Sequence, residues 1–245
     1  MVYKRLIEKR DLLNKNKNLL SEELIENYTT NFDINFAHDS TAIEGNTLTL
    51  IETKLLIEDK ISVGSKSLRE IYEVVNHNKA WEFVKKNVKE KNDLNEDIVK
   101  EIHRILMENI SEGGTYRDAD VIITGAKHNP PSHFIIRFEL DNFYNTLKEN
   151  NFNELALVAY THAEFVRIHP FINGNGRLSR IIMNYQLLQN GFLPISIKTE
   201  NKGSYYDALE EYGVNDNLNS LIELIHKLEE DQLDFYLKHI KHEIR

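Results

Sequence analysis

The sequence predicts an all-α fold, and three observations predict it. Apolar residues recur at helical spacing through most of the 245 residues. Only four prolines and ten glycines interrupt them. A single stretch breaks the pattern: Val121-Ile122-Ile123, a turn over 125–131, then His133-Phe134-Ile135-Ile136. That stretch reads as one small β-hairpin.

Taken in order, helical periodicity covers residues 4–27, 50–60, 67–88, 95–109, 137–150, 153–168, 177–190 and 218–242. Residues 40–46 form a further short helix ending at Gly45, since glycine readily leaves a helix in the left-handed conformation. Ser67 is a natural cap, with Glu70 three residues later completing a capping box. Asn95 caps the next helix. Gly191, with Pro194 just beyond, stops the helix that begins near Arg177. A two-stranded hairpin is marginal alone, so the one expected over 121–136 must lean on the helices, as a surface excursion or as a flap.

Composition narrows the function. A net charge of −9 disfavours nucleic acid as a partner. The absence of cysteine excludes a disulfide framework and a thiolate metal site. No apolar run approaches the ~20 residues that cross a bilayer, and no signal peptide opens the chain. The expectation is a soluble cytoplasmic protein without a membrane partner.

The chemistry concentrates in His169-Pro170-Phe171-Ile172-Asn173-Gly174-Asn175-Gly176-Arg177, followed by Leu178-Ser179-Arg180. Glycine lets successive backbone N–H groups face one concavity, and a helix N-terminus adds partial positive charge. Arg177 and Arg180 lie three apart on one helix face, and guanidinium forks match phosphate oxygens. His169 precedes a proline, so the helix before it should stop there and leave the imidazole facing the cradle. Histidine titrates near neutrality and suits a general base. These residues alone suggest a site for a di- or triphosphate beside a base.

The segment closely resembles the signature of the Fic family, HPFx(D/E)GN(G/K)R with a second arginine three residues on. A second stretch, Ser40-Thr41-Ala42-Ile43-Glu44-Gly45-Asn46, resembles that family's (S/T)xxxE(G/N) inhibitory motif. The resemblance runs from about residue 36 to about residue 215. It implies a Fic-type helical bundle with a β-hairpin flap, an N-terminal helical extension at 1–35, a core at 36–215 with its inhibitory helix at 36–46, and a C-terminal helix at 216–245. It further implies a protein adenylyltransferase that moves AMP from ATP to a Ser, Thr or Tyr hydroxyl of a protein, the enzyme itself included.

On that resemblance His169 is the base, and the backbone at Gly174, Asn175 and Gly176, with the Asn175 side chain, holds the α-phosphate. Arg177 and Arg180 hold the β- and γ-phosphates. Glu44, with Ser40 tying its helix down, inhibits by pairing with Arg180. Tyr205 and Tyr206 contact adenine, and the hairpin holds the target by strand pairing. The terminal helices are candidates for homodimer contacts. One position departs from the family. Asn173 stands where an acid would bind Mg²⁺, so any metal there gains a neutral ligand. Two other readings stay open: removal of AMP or transfer of another phosphate-containing group, with Glu44 positioning water, and a catalytically weak nucleotide-binding interaction module.

Overall fold

The computed structural model describes residues 2–149 and 151–243. Helix α1 (Val2–Asn16) ends sooner than the sequence pattern suggests. A 3₁₀ turn (Lys17–Leu19) follows, and Ser21 starts α2 (Glu22–Ile43) by accepting from the Leu24 N–H at 3.2 Å. The short helix expected over 40–46 is therefore the last turns of a 22-residue helix. The expected boundary at 35/36 falls inside it. Glu44 is its C-cap and Gly45 turns the chain at φ +97°.

Helix α3 (Leu50–Lys54) carries a capping box between Thr49 and Glu52 and runs into a π-helical turn (Leu55–Asp59). Ser67 and Glu70 form the expected capping box of α4 (Leu68–Lys89), and Asn95 caps α5 (Glu96–Leu106). Next come α6 (Ile136–Glu149), α7 (Glu154–Ile168) and α8 (Asn175–Gln189). Helix α9 (Lys202–Asn215) lies in a stretch that the sequence reading left without a helix. Gly203 and Gly213 weaken its propensity, yet Tyr205, Ala208, Leu209 and Tyr212 have helical spacing and are buried. Helix α10 (Asn219–Glu243) closes the described chain.

Helices α7 and α8 pack on each other as an αα-hairpin at the centre. Helix α8 is buried almost all round, as a central helix must be. Two apolar cores flank the pair. One joins α4, α5 and α6 through Trp81, Phe143, Phe165, Phe171 and Tyr185. The other joins α1, α9 and α10 through Leu6, Leu155, Met183, Leu209 and Ile225. The short α7–α8 connection, which is the motif, is thereby held from both sides. Among the described residues no helix is long and apolar enough to cross a membrane.

The β-hairpin is not there: among the described residues there is no strand. Residues 121–123 are irregular, and His133–Ile135 is a 3₁₀ turn leading into α6. The Asp120 carboxylate decides this locally. Its Oδ1 accepts from the His133 N–H at 2.7 Å, from His133 Nδ1 at 2.9 Å and from Ser132 Oγ at 3.1 Å. Those bonds take the donor a ladder would need and start a helix instead. Ile122 and Phe134 are each 85% exposed, so neither run gains the burial that favours a strand.

Candidate active site

The end of α7 places His169. His169 caps the helix with φ 49° and ψ 59°, its N–H still donating to the Phe165 carbonyl at 3.0 Å. The left-handed region costs a residue with a Cβ roughly 1–3 kcal/mol. Arg117 holds it there from the loop before α6. Its Nε donates to the His169 carbonyl at 2.9 Å and its Nη1 to the Ala119 carbonyl at 2.8 Å. Its Nη2 donates to the Pro131 carbonyl, and its own N–H to the Pro170 carbonyl at 2.9 Å. A buried guanidinium with its donors on backbone oxygens fastens the 117–131 loop to the motif.

Burial pushes the His169 imidazole down to about 4, only partly opposed by the nearby Val166 carbonyl. The ring is therefore neutral at physiological pH, which is the form a base needs. Nδ1 is buried without a hydrogen-bond partner among the described residues.

Gly174 is the N-cap of α8 at φ +77°, and the helix begins at Asn175. The Asn175 side chain is taken up by the loop itself. Its Oδ1 accepts from the Phe171 N–H at 3.0 Å and its Nδ2 donates to the Phe171 carbonyl at 2.8 Å. What Asn175 leaves for an anion is its backbone N–H at the helix start. Phe171 is buried, stacked on His103 with ring centres 3.6 Å apart.

Both motif arginines are buried. Arg180 donates through Nε to Ser40 Oγ at 2.9 Å, and through Nη2 to the Ser40 carbonyl at 2.7 Å and to Glu44 Oε1 at 2.8 Å. The contact with Glu44 is thus a single charged bond, with two more bonds going to Ser40 and Nη1 facing the Tyr205 hydroxyl at 3.5 Å. Arg177 is less satisfied. Its nearest carboxylate oxygen is Glu73 Oε1 at 3.7 Å, and its Nε and Nη1 have no partner among the described residues. A buried cation short of acceptors is a strong site for a phosphate oxygen.

Glu44 lies against the cradle. A Cβ at Gly176 would come within 2.2 Å of Glu44 Oε1, so only glycine lets the carboxylate approach this turn of α8. Burial would raise the Glu44 carboxyl, but the Arg180 charge and hydrogen bond outweigh it, with help from Arg177 and Lys202, and hold it below the usual range. Lys202 also donates to the Ile43 carbonyl at 2.8 Å and lies 5.6 Å from the centre of the Tyr206 ring.

The two tyrosines separate. Tyr205 is core: its hydroxyl meets His162 Nε2 at 2.9 Å and Arg180 Nη1 at 3.5 Å, and its ring lies flat against His162. It offers no open face to a base. Tyr206 keeps 41% of its surface exposed and so retains an open aromatic face. Asn173 is exposed at the loop edge and borders a cleft of about 340 Å³ with His103, Thr115, Arg117 and Asp118. Sequence reasoning gave no site role to Arg117, His103 or Lys202. Arg117 and His103 reach carbonyls of the motif loop and Lys202 the Ile43 carbonyl, and a carbonyl acceptor leaves no mark in a sequence.

A neutral imidazole, a helix N-terminus and two buried arginines thus meet at one connection of an all-helical fold. Residues 93–187 match the profile of the Fic/DOC family, and the chain carries a Fic/DOC family domain over them. The protein adenylyltransferase Fic of Aedes aegypti is 30% identical over 242 residues, covering 96% of this chain and 47% of that protein. That of Drosophila grimshawi is 30% identical over 205 residues, covering 82% and 42%. The chain thus spans less than half the length of these relatives. A Fic domain containing signaling protein from Bacteroides thetaiotaomicron superposes with a TM-score of 0.84 at 26% identity, covering 99% of this chain and 98% of that one. Fic-1 from C. elegans, at 24% identity and a TM-score of 0.83, shares the fold.

Proposed function

We propose that this chain is a protein adenylyltransferase that transfers AMP from ATP to a protein hydroxyl and is held in check by Glu44. The observation that carries this reading is the set at the start of α8: neutral His169, underbonded Arg177, and Arg180 bound to Glu44. The names and the extent of identity of the insect relatives support the choice of AMP transfer.

In the proposed reaction His169 takes the proton of the target hydroxyl. The freed oxygen bonds to the α-phosphorus, and the bond from that phosphorus to the bridging oxygen breaks. Pyrophosphate leaves. The backbone N–H groups at the head of α8 face the charge that builds on the α-phosphoryl oxygens. Arg177 and Arg180 hold the terminal phosphates. Glu44 must first release Arg180, because the bond it makes is the one a γ-phosphate requires. Tyr206 takes the adenine face. Asn173 offers Mg²⁺ a neutral amide oxygen, so the phosphates would supply most of its charge neutralisation. The metal, when bound, offsets phosphate charge.

The test is incubation with ATP labelled on the α-phosphate and Mg²⁺, comparing the unmodified chain, Glu44→Gly, and Glu44→Gly with His169→Ala. The expected result is protein labelling that rises in the first variant and is lost in the second. Equal labelling in the unmodified chain and Glu44→Gly would reject the brake. ATP binding without labelling in every protein would reject the transferase and leave a binding module. The ionised Glu44 carboxylate beside Gly176 favours one further reading, orientation of a water that removes AMP from a modified protein. Release of free AMP that depends on Glu44 would establish it.

A further inference from the structure

We propose that His103 is the positioning residue of the anion cradle: its imidazole fixes the Asn173–Gly174 peptide so that the Gly174 N–H faces the phosphate. The inference rests on the phosphate-binding reading above and assigns a role to a side chain that the proposed reaction does not use.

The ring's two nitrogens are both committed, and their order fixes the tautomer. The Gly114 N–H donates to Nδ1 at 2.8 Å, so Nδ1 is an acceptor and carries no proton. An imidazole keeps at least one ring proton, and Nδ1 cannot carry it. Its one proton is therefore on Nε2, which donates to the Asn173 carbonyl at 2.9 Å. A trans peptide is planar, and the N–H that follows a carbonyl points the opposite way. No cis peptide occurs among the described residues. Drawing the Asn173 oxygen toward His103 thus turns the Gly174 N–H away from His103. That N–H belongs to the N-cap residue of α8 and has no backbone acceptor among the described residues.

The anchor is stiff. His103 stacks on Phe171 at 3.6 Å with 14° between planes, and Asn175 clamps the Phe171 backbone. Contact with Gly174 is close on the same side. A Cβ there would meet Met107 Sδ at 2.9 Å and His103 Nε2 at 3.4 Å. A histidine kept only to fill the core could be replaced by phenylalanine at little loss. Here both nitrogens hold backbone groups of two different loops, one of which carries the cradle.

The experiment measures binding of α,β-methylene-ATP, which keeps the α-phosphoryl oxygens and cannot be cleaved there, to the Glu44→Gly chain by calorimetry, with His103, His103→Phe and His103→Gln. Phenylalanine keeps the stack and loses both bonds, whereas glutamine can still donate to Asn173. Losing a fixed donor to a charged oxygen should weaken binding about tenfold in the Phe variant. Gln should recover most of that loss. Equal affinity in the Phe variant, with thermal unfolding lowered alone, would overturn the proposal and leave His103 a structural residue. No binding of the ATP analogue even with His103 intact would overturn the phosphate-site reading itself, and this inference with it. A second measurement does not depend on the variants folding. In the Glu44→Gly chain, α,β-methylene-ATP should move the Gly174 amide proton downfield. An unmoved Gly174 signal while neighbouring amides shift would also overturn it.

Discussion

At the scale of single residues, the site is governed by where charge is left unbalanced. Arg180 is fully engaged by Ser40 and Glu44, whereas Arg177 is buried with two of its nitrogens unbonded. On the proposed reading, an incoming triphosphate gains from Arg177 at once but must compete for Arg180. Lys202 sits on the inhibitory side of that competition, bonded to the carbonyl just before Glu44. Lys202→Met should raise labelling by the Glu44-containing chain about fivefold, the worth of one hydrogen bond of about 1 kcal/mol. In Glu44→Gly the same change should do nothing to the brake, so labelling assays of the double variant check the coupling. His169 gives a pH prediction. Because burial sets it at about 4, transfer by Glu44→Gly should stay level as pH falls from about 7 to about 5.5. A base with the ordinary histidine value of about 6.5 would lose most of its rate over that interval.

At the scale of elements, three pieces meet at the motif: the end of α2, the 117–131 loop, and the α7–α8 connection. The capping signals of α4 and α5 were legible in the sequence because they are local, and each fell where Ser67 and Asn95 predicted. The hairpin was misjudged because two β-branched and apolar runs flanking a turn look the same whether or not they pair. The Asp120 bonds to Ser132 and His133 settled the matter. Without a ladder, the loop depends on Arg117. Arg117→Gln should free it, making 118–131 more sensitive to limited proteolysis. The same variant in the Glu44→Gly background should lower kcat more than it raises KM for ATP, since Arg117 touches the His169 backbone rather than the arginines. A change in KM alone, measured by initial rates, would contradict this.

At the scale of the whole molecule, the buried interior contains several histidines that must stay neutral. His103 is held at about 4 and His162 at about 3 by burial, and His77 is lowered too. Their folded values lie below the unfolded value of about 6.5, so their contribution is present above that pH and is lost as pH falls toward the folded values. Glu229 acts oppositely, since burial raises its carboxyl and its folded form gains protons as pH drops. His169 is lowered in the same way, so four imidazoles act against one carboxyl and the net effect is a loss of stability as pH falls below about 6.5. Urea denaturation should therefore show a lower midpoint at pH 5 than at pH 7, and a higher one would refute the balance.

The sequence by itself determined the helical class, most helix positions, the caps and the motif, because each depends on residues within a few positions of one another. It also marked Glu44, Arg177 and Arg180 by their spacing and company, and it listed Tyr205 and Tyr206 without telling which was core. Tertiary packing decided the rest. It brought Glu44 onto Arg180 across 136 residues and buried Tyr205 while leaving Tyr206 open. It also set Arg117 and His103 on backbone carbonyls of the motif loop. The reason is physical: periodicity encodes which face of an element is buried, but a buried polar group takes whatever partner packing places beside it.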